Sequence, residues 1–313
     1  MLDTTIHCLC LNPALDIAGV ADKVHVTRKI RVHDQCEYPG GGSVNVARVV
    51  NKLGSDVFLS FLSGGIYGDE LAKAIDDLGI PNHRIHSEVN TRLSYTVFEE
   101  DTFREYRFIS EGKAQPTGIL QEAIDFLDTV DCEMLVLSGS LPTNTPTDTY
   151  AKIANRVSSR GIKVVLDCSG EALNATIDKA PVFLLKPSFG ELESLAGKKL
   201  DEPSAIAFSQ LLVQQGKASI VAVSMGQHGA FVCTENRTLR APAVRVKVRS
   251  AVGAGDSFVA GMVARLAQNK TLEDAFSYAV ASGAAAVMTA GTQLCDVAHI
   301  RSLLPSIVVT KIK

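Results

Sequence analysis

The chain has 313 residues, enough to bury a large core as one large α/β domain or as two domains. Its 31 basic and 34 acidic residues are well mixed and give a net charge of −3, so nothing indicates nucleic-acid or membrane electrostatics. No apolar run approaches the roughly 18 residues that span a bilayer, and residues 1–5 do not look like a secretory leader, so we expect a cytoplasmic protein. Seven cysteines without paired metal-type spacing favour reduced thiols.

Strand patterns alternate with helical patterns along most of the chain. The predicted strands are residues 5–11, 57–62, 134–137, 163–166, 182–185 and 220–223. The predicted helices include residues 69–78, 118–127, 147–158 and 204–215. This alternation predicts an α/β fold with a mainly parallel central sheet and helices on both of its faces.

Two regions, 18–38 and 92–109, interrupt that alternation. They contain strand patterns in which charged residues alternate with apolar ones, as in Tyr106-Arg-Phe108. Such strands do not suit a buried parallel sheet, because both faces of that sheet are covered. We therefore assign them to a separate small antiparallel sheet.

A run of three glycines, 40–42, precedes a predicted amphipathic helix. The apolar face of this helix is Val46, Val49, Val50 and Leu53, and Gly54 supplies the stop. The backbone N–H groups at a helix start have no helical partners, so a glycine-lined start is suited to a polar ligand.

A second glycine cluster, Gly253-Ala-Gly-Asp256, begins another helical run. The helix is predicted to start at or just before Asp256, because apolar residues then recur at helical spacing at positions 258, 259, 262, 263 and 266. Glycines without Cβ atoms let a phosphate or an oxyanion approach the N–H groups of the first turn. Asp256 is either an acid that caps the helix or a catalytic base, and both readings are open.

Two such helix starts suit a group-transfer enzyme, because one can receive a polar substrate while the other receives the charge that develops on it. Neither cluster is Gly-x-x-x-x-Gly-Lys-Ser/Thr or Gly-x-Gly-x-x-Gly. The sequence therefore argues against a P-loop NTPase and against a dinucleotide-dependent dehydrogenase.

Five stretches together resemble the ribokinase-like (PfkB) sugar kinases, in that family's order and across nearly the whole chain. They are residues 12–16, 40–45, 167–173, 186–191 and 253–256. Within the family, residues 39–48, 169–173 and 291–295 most resemble the type B 6-phosphofructokinases. The resemblance implies one ribokinase-like three-layer sandwich over residues 1–313. It also implies a β lid, formed from about 18–38 and 92–109, through which many members dimerise, so a homodimer is expected.

The activity implied by the resemblance is ATP-dependent, Mg²⁺-requiring phosphorylation of fructose 6-phosphate to fructose 1,6-bisphosphate. Asp256 matches the general base, and Gly253, Ala254 and Gly255 match the backbone donors to the transferred group. One alternative is a sibling kinase acting on fructose 1-phosphate, tagatose 6-phosphate or an unphosphorylated sugar. An alternative from another class is a silent nucleotide-binding regulator on the same scaffold.

The resemblance also implies a set of residues that bind the acceptor sugar. Positions matching contacts to the sugar hydroxyls are Asp16, Gly41, Gly42 and Asn45, and those matching contacts to its phosphate are Lys29, Arg31 and Arg92, with Ser140 nearby. Ordinary structural readings compete with these roles. Asp16 could stabilise a turn, and cations on edge strands prevent aggregation.

On the nucleotide side, the matching positions are Lys186, Ser188, Ser224, Gly226, Gly229 and Gly283. Glu191 matches the acid that organises Mg²⁺ through water, with an exposed first-turn helix acid as the alternative. The chain departs from the family at Ser188, where relatives have Asn, and at Ala251, where relatives often have Thr. A loop matching a monovalent-cation site, with K⁺ as the candidate ion, contains Ser250, Val252, Ala286, Thr289, Gly291 and Gln293.

Overall fold

A computed structural model describes residues 2–312 and contains a ten-stranded sheet in the order β14-β13-β12-β11-β10-β9-β8-β1-β4-β5. From β11 to β5 all neighbouring strands pair in parallel. The sheet strands are β1 Leu2–Cys10, β4 Val57–Ser63, β5 Asn82–His86, β8 Val130–Ser138, β9 Lys163–Asp167, β10 Val182–Leu185, β11 Ala218–Ser224, β12 Ala230–Cys233, β13 Thr238–Ala241 and β14 Thr310–Ile312. The six predicted strands are β1, β4, β8, β9, β10 and β11.

Helices cover both faces of this sheet. Apolar side chains of α1, α2, α8 and α9 pack on one face, and those of α3 to α7 pack on the other. The helices are α1 Gly42–Lys52, α2 Gly65–Asp77, α3 Thr117–Phe126, α4 Thr149–Ser158, α5 Gly170–Lys179, α6 Phe189–Ala196, α7 Glu202–Gln214, α8 Ala254–Ala267, α9 Leu272–Ala286 and α10 Val297–Leu303. None of these helices within residues 2–312 has the length and apolar character needed to cross a bilayer. The predicted three-layer α/β fold is confirmed.

A separate four-stranded sheet, which we call the lid, has the order β3-β2-β6-β7. Its strands are β2 Ala14–Ala21, β3 His33–Gly40, β6 Arg92–Glu99 and β7 Arg104–Ile109. Both outer pairs are antiparallel, and the central pair β2–β6 is parallel. The lid sheet starts at Ala14, before the predicted residue 18, and residues 22–32 form a loop rather than a strand. Asp16 consequently lies within β2, not in a turn after β1.

The middle of α8 packs closely against α9. A Cβ atom on Gly261 of α8 would lie 2.4 Å from Ser282 Oγ and 2.7 Å from the carbonyl oxygen of Tyr278. The backbones of α8 and α9 therefore approach so closely at position 261 that a side chain there would clash with α9.

We expect Gly261→Ala to lower the free energy of unfolding by roughly 1–3 kcal/mol, since overpacking a close helix crossing forces backbone shifts. Gly118→Ala is the matched control, because Gly118 lies in α3 and a Cβ atom there would meet no neighbouring group of residues 2–312 within 4 Å. There the extra methyl group should stabilise the helix by about 0.5–1 kcal/mol. Urea denaturation of both variants checks this, and equal stabilities would contradict the packing account.

Candidate active site

The starts of α1 and α8 meet at one hydrogen bond. Asn45 of α1 donates its Nδ2–H to Asp256 Oδ2 of α8 across 2.8 Å. The residue before each helix is a glycine with positive φ, Gly41 at 108° and Gly253 at 71°. The structure thus brings together the two glycine clusters that lie more than 200 positions apart in the chain.

The glycines at these helix starts are required by packing as well as by any ligand. A Cβ atom on Gly42 would lie 2.4 Å from Ser138 Oγ at the end of β8, and one on Gly253 would lie 2.2 Å from Leu294 Cδ2. Gly255 differs, because the nearest atom to its Cβ position is Lys186 Nζ at 3.5 Å. The backbone at Gly255 is therefore open toward a cation, a suitable place for a phosphate.

Asp256 has a carboxyl group whose pKa lies near neutrality. Desolvation and the negative charge of Asp167 raise the pKa of Asp256 to about 7, against the opposing effects of the hydrogen bond from Asn45 and the charge of Lys186. The residue keeps partial solvent access, as a group that meets a substrate must. A carboxylate with this pKa can take a proton from a hydroxyl group at neutral pH.

Arg48, which the sequence analysis missed, locks the Asn45 side chain in place. Its Nη1 donates to Asn45 Oδ1 at 3.0 Å and to the Pro39 carbonyl at 2.8 Å, and its Nη2 donates to the Thr292 carbonyl at 3.1 Å. Burial lowers the pKa of Arg48 to about 10, although the charge of Asp16 opposes this. With its Oδ1 occupied, Asn45 can only offer its NH₂ group to Asp256. The signal in the sequence was a lone cation three positions after Asn45 in an apolar helix.

An ion pair with little solvent exposure lies beside α8. Lys186 Nζ is 2.9 Å from Asp167 Oδ1, and the two side chains are 6% and 12% exposed. Ser138 Oγ donates to the other carboxylate oxygen, Asp167 Oδ2, at 3.2 Å. Asp167 ends β9 and was given no role from the sequence. It holds the Lys186 ammonium toward the start of α8, next to Gly255.

Asp16 is buried in β2 of the lid. A Cβ atom on Gly40 would lie 2.1 Å from Asp16 Oδ2, so glycine is needed there for the carboxylate to fit. Burial raises the pKa of Asp16 to about 6, and Arg48, a hydrogen bond from Ser94 and Arg92 oppose the rise. The predicted acceptor-binding residues Asp16, Gly41, Gly42 and Asn45 therefore surround one region at the carboxyl end of β1.

Arg92 lies at the base of the lid and is tied to residues after β1. Its Nη2 and Nε donate to the Asn12 carbonyl at 3.0 and 3.2 Å, and its Nη1 donates to the Ser110 carbonyl at 3.0 Å. Asn12 Nδ2 in turn donates to Ser140 Oγ at 3.0 Å, so the predicted Ser140 lies close to Arg92. Lys29 and Arg31 lie exposed in the loop 22–32, and neither lines the cleft beside Arg92.

Ser188 and Glu191 contact each other directly at the start of α6. Ser188 Oγ accepts from the Glu191 N–H at 3.3 Å, and Glu191 Oε2 accepts from the Ser188 N–H at 2.7 Å, which is a capping box. The pattern Ser-x-x-Glu could have indicated this from the sequence. Ser224 pairs with Ser188 in an isolated parallel bridge, and Gly226 and Gly229 form the turn that follows β11.

Residues of the predicted nucleotide and cation loops lie around the other side of α8. Gly283 faces α8, since its Cβ position is 3.3 Å from the Ala254 carbonyl oxygen.

The predicted cation loop is held by hydrogen bonds to its own carbonyl groups. Thr289 Oγ1 donates to the Ala286 carbonyl at 2.7 Å, and Lys52 Nζ donates to the Gln293 carbonyl at 3.0 Å. Backbone hydrogen bonds to Val287 tie residues 249–250 to this loop, and a Cβ atom on Gly291 would lie 2.8 Å from Ala18 Cβ. Ser250 Oγ donates to Glu105 Oε1 of the lid at 2.7 Å and accepts from the Val252 N–H at 3.1 Å.

Comparison with known proteins places this geometry among sugar kinases. Residues 9–299 match the family described as pfkB family carbohydrate kinase. The chain is 33% identical to the ATP-dependent 6-phosphofructokinase isozyme 2 of Escherichia coli over 93% of this chain and 95% of that protein. It is 32% identical to the 1-phosphofructokinase of Borreliella burgdorferi, with 96% of each chain covered. The structure of E. coli phosphofructokinase-2 in complex with potassium has a TM-score of 0.92 and 31% identity over 97% of this chain and 99% of that one.

The capping box predicts how substitutions at Ser188 change stability. Ser188→Ala should lower the free energy of unfolding by about 1 kcal/mol, since an N-cap acceptor is lost, whereas Ser188→Asn should change it by only a few tenths because Asn caps equally well. Urea denaturation of the two variants and the wild type measures this. A Ser188→Ala protein as stable as the wild type would show that the cap contributes nothing.

Proposed function

We propose a reaction for this chain, which belongs to the pfkB family of carbohydrate kinases. It transfers the γ-phosphoryl group of ATP to fructose 6-phosphate and forms fructose 1,6-bisphosphate. The observation that carries the proposal is the Asp256 carboxylate. Its pKa is raised to about 7 and it accepts a hydrogen bond from Asn45 where two glycine-lined helix starts meet. This arrangement suits a base that faces both a polar acceptor and an anion site.

The chemical step uses residues of α8. The acceptor hydroxyl oxygen attacks the γ-phosphorus, the bond between that phosphorus and the β–γ bridging oxygen breaks, and ADP leaves. The hydroxyl proton passes to Asp256. The free N–H groups of Gly255 and its neighbours at the start of α8 donate to the transferring group, whose negative charge the helix dipole also favours.

The residues near the triphosphate position fit a magnesium ion. Glu191 uses Oε2 in the capping box, so its other carboxylate oxygen can hold a water of the metal shell. When bound, Mg²⁺ offsets the negative charge of the triphosphate. Lys186 supplies a fixed positive charge beside Gly255, and Asp167 keeps that ammonium in position.

The acceptor lies between β1 and the lid in this proposal. Asp16 and Asn45 bind the sugar hydroxyls, and Arg92 with Ser140 binds the sugar phosphate. The second candidate acceptor is fructose 1-phosphate, because the similarity to a 1-phosphofructokinase is almost as high as that to a 6-phosphofructokinase. Either acceptor presents one phosphate to Arg92, so the site chemistry is shared.

A potassium ion is proposed for the loop 286–293, since the similar E. coli structure is in complex with potassium. The Gln293 carbonyl oxygen fits a hard cation, because it accepts one hydrogen bond, from Lys52 Nζ, and keeps a second lone pair. The Ala286 carbonyl oxygen already accepts from both the Oγ1–H and the N–H of Thr289. The Lys52 ammonium already contacts the Gln293 carbonyl, so a positive charge of the chain itself partly offsets the negative end of that carbonyl dipole.

A second copy of this chain is the proposed partner of the lid. Large apolar side chains on the lid and its loops are exposed, namely Val26 at 89%, Phe103 at 81% and Phe108 at 64%. Apolar groups concentrated on the lid and its connecting loops indicate an interaction surface. A homodimer formed through the lid would cover them.

The experiment that tests the proposed base is Asp256→Asn. The amide keeps the shape of the side chain but cannot accept the hydroxyl proton, so kcat should fall by roughly 10²–10⁴-fold while the Kd for ATP stays nearly unchanged. Coupled assay of ADP release and a nucleotide titration measure the two quantities. An Asn variant with wild-type kcat would remove Asp256 from the mechanism and return it to helix capping.

The pKa of Asp256 and its hydrogen bond from Asn45 together predict how kcat/KM depends on pH. The carboxylate form of Asp256 is the active base, so kcat/KM should rise with pH through the pKa of about 7. Asn45→Ala removes a hydrogen-bond donor to the Asp256 carboxylate, so the pKa of Asp256 rises. The acidic limb of the kcat/KM profile should therefore shift to higher pH by roughly half a pH unit to one pH unit. Asn51→Ala, also on α1, is the control and should leave the midpoint in place. A midpoint unchanged in Asn45→Ala would separate Asn45 from the titration of the base.

A further inference from the structure

A polar cleft lies beside Arg92, between the ends of β1 and β4 and the loop that follows β7. Its lining includes Asn12, Asn90, Gln115, Arg92 and Lys113. Among its lining residues, all within the described part of the chain, Arg92 and Lys113 carry positive charge and no Asp or Glu occurs. Two cations that share a cleft with neutral amides and hydroxyls make a site for an anion.

The loop that carries Lys113 is fixed onto Arg92 itself. Arg92 donates to the Ser110 carbonyl at 3.0 Å, Asn12 Nδ2 donates to the Glu111 carbonyl at 3.1 Å, and Thr143 Oγ1 donates to the Gly112 carbonyl at 3.0 Å. Gly112 has a φ of 92°, and a Cβ atom there would lie 2.8 Å from Asn12 Oδ1. The position of the Lys113 backbone is therefore set by the same contacts that hold Arg92.

Lys113 differs from many exposed lysines of this chain, which are neutralised by carboxylates. Lys23, Lys73 and Lys199 each lie 2.7 Å or less from an Asp or Glu oxygen. Within residues 2–312 no such ion pair forms at Lys113, which instead shares its cleft with a second cation. Its ammonium, on a flexible four-carbon stem, can reach a ligand held by the guanidinium of Arg92.

We propose that Lys113 is a second binding residue for the phosphate group of the acceptor, and that it acts together with Arg92. This inference rests on the proposed function and deepens it, since it names the cation that completes the phosphate site. Lys29 and Arg31, which the resemblance also matched to phosphate contacts, do not line this cleft, whereas Lys113 does. A dianionic phosphate is matched in charge by the two side chains, and an unphosphorylated sugar is not.

The test compares Lys113→Ala with Lys113→Arg and with the control Lys270→Ala. Lys270 is exposed beyond the C-terminal end of α8, roughly 20 Å from Asp256 at the rise of an α-helix. Lys113→Ala should raise KM for the sugar phosphate by roughly three- to tenfold with little change in kcat, because a charge-assisted contact to bound phosphate is lost. Lys113→Arg should stay within about twofold of the wild type, and the KM for ATP should not move.

Inorganic phosphate serves as the direct probe of the cleft. Calorimetric titration should show weaker phosphate binding to Lys113→Ala than to the wild type and Lys270→Ala. If both alanine variants bind phosphate and sugar phosphate alike, the inference is overturned even though the kinase function stands. If the wild type phosphorylates no sugar phosphate yet loses phosphate affinity in Lys113→Ala, the proposed function fails and the phosphate site stands.

Discussion

The hydrogen bond between Asn45 and Asp256 is the contact on which the site depends, because it is the point where the two glycine-lined helix starts touch. Each helix is positioned by packing that only glycine permits, Gly42 against β8 and Gly261 against α9. Because both helices are held in place by this packing, the hydrogen bond between them fixes the orientation of the Asp256 carboxylate. Arg48 completes the constraint, since it fills the acceptor side of the Asn45 amide.

Desolvation is the largest cause of the raised pKa of Asp256, and the charges around this contact modify it. Three carboxylates, those of Asp16, Asp167 and Asp256, share the region with the cations Arg48 and Lys186. Arg92 is a third cation close to Asp16, so these carboxylates and cations are equal in number, and the nearby Asp167 adds to the effect of desolvation on the pKa of Asp256. The ion pair with Lys186 limits that effect and at the same time directs a cation toward the start of α8. The Lys186–Asp167 ion pair therefore influences the pKa of Asp256 and also places a positive charge at the proposed anion site.

The sequence was sufficient for the parallel sheet and for the two glycine-lined helix starts, because both follow from local periodicity. The separate roles of Asn45 and Asp256 came from the resemblance, and the hydrogen bond between them was not predicted. Arg48 and Asp167 were missed, since their roles arise from partners distant in the chain, at Thr292 and Lys186. The capping box of Ser188 was visible as Ser-x-x-Glu but was read only as a nucleotide contact. Lys29 was matched to the sugar phosphate through the resemblance, and Lys113 was not considered because loop 110–115 carries neither a strand pattern nor a matching motif. Strands β12 to β14 are short and lie at the antiparallel edge, where apolar runs are least distinctive.

Release of ADP by the purified wild-type protein, with MgATP and a panel of acceptors, tests the account most directly. The panel comprises fructose 6-phosphate, fructose 1-phosphate, tagatose 6-phosphate and fructose. The account predicts acceptor-dependent ADP release that is highest in kcat/KM for fructose 6-phosphate and much lower for unphosphorylated fructose, because Arg92 lies where a phosphate would bind. ADP release no greater than the background without acceptor, for every member of the panel, would contradict it.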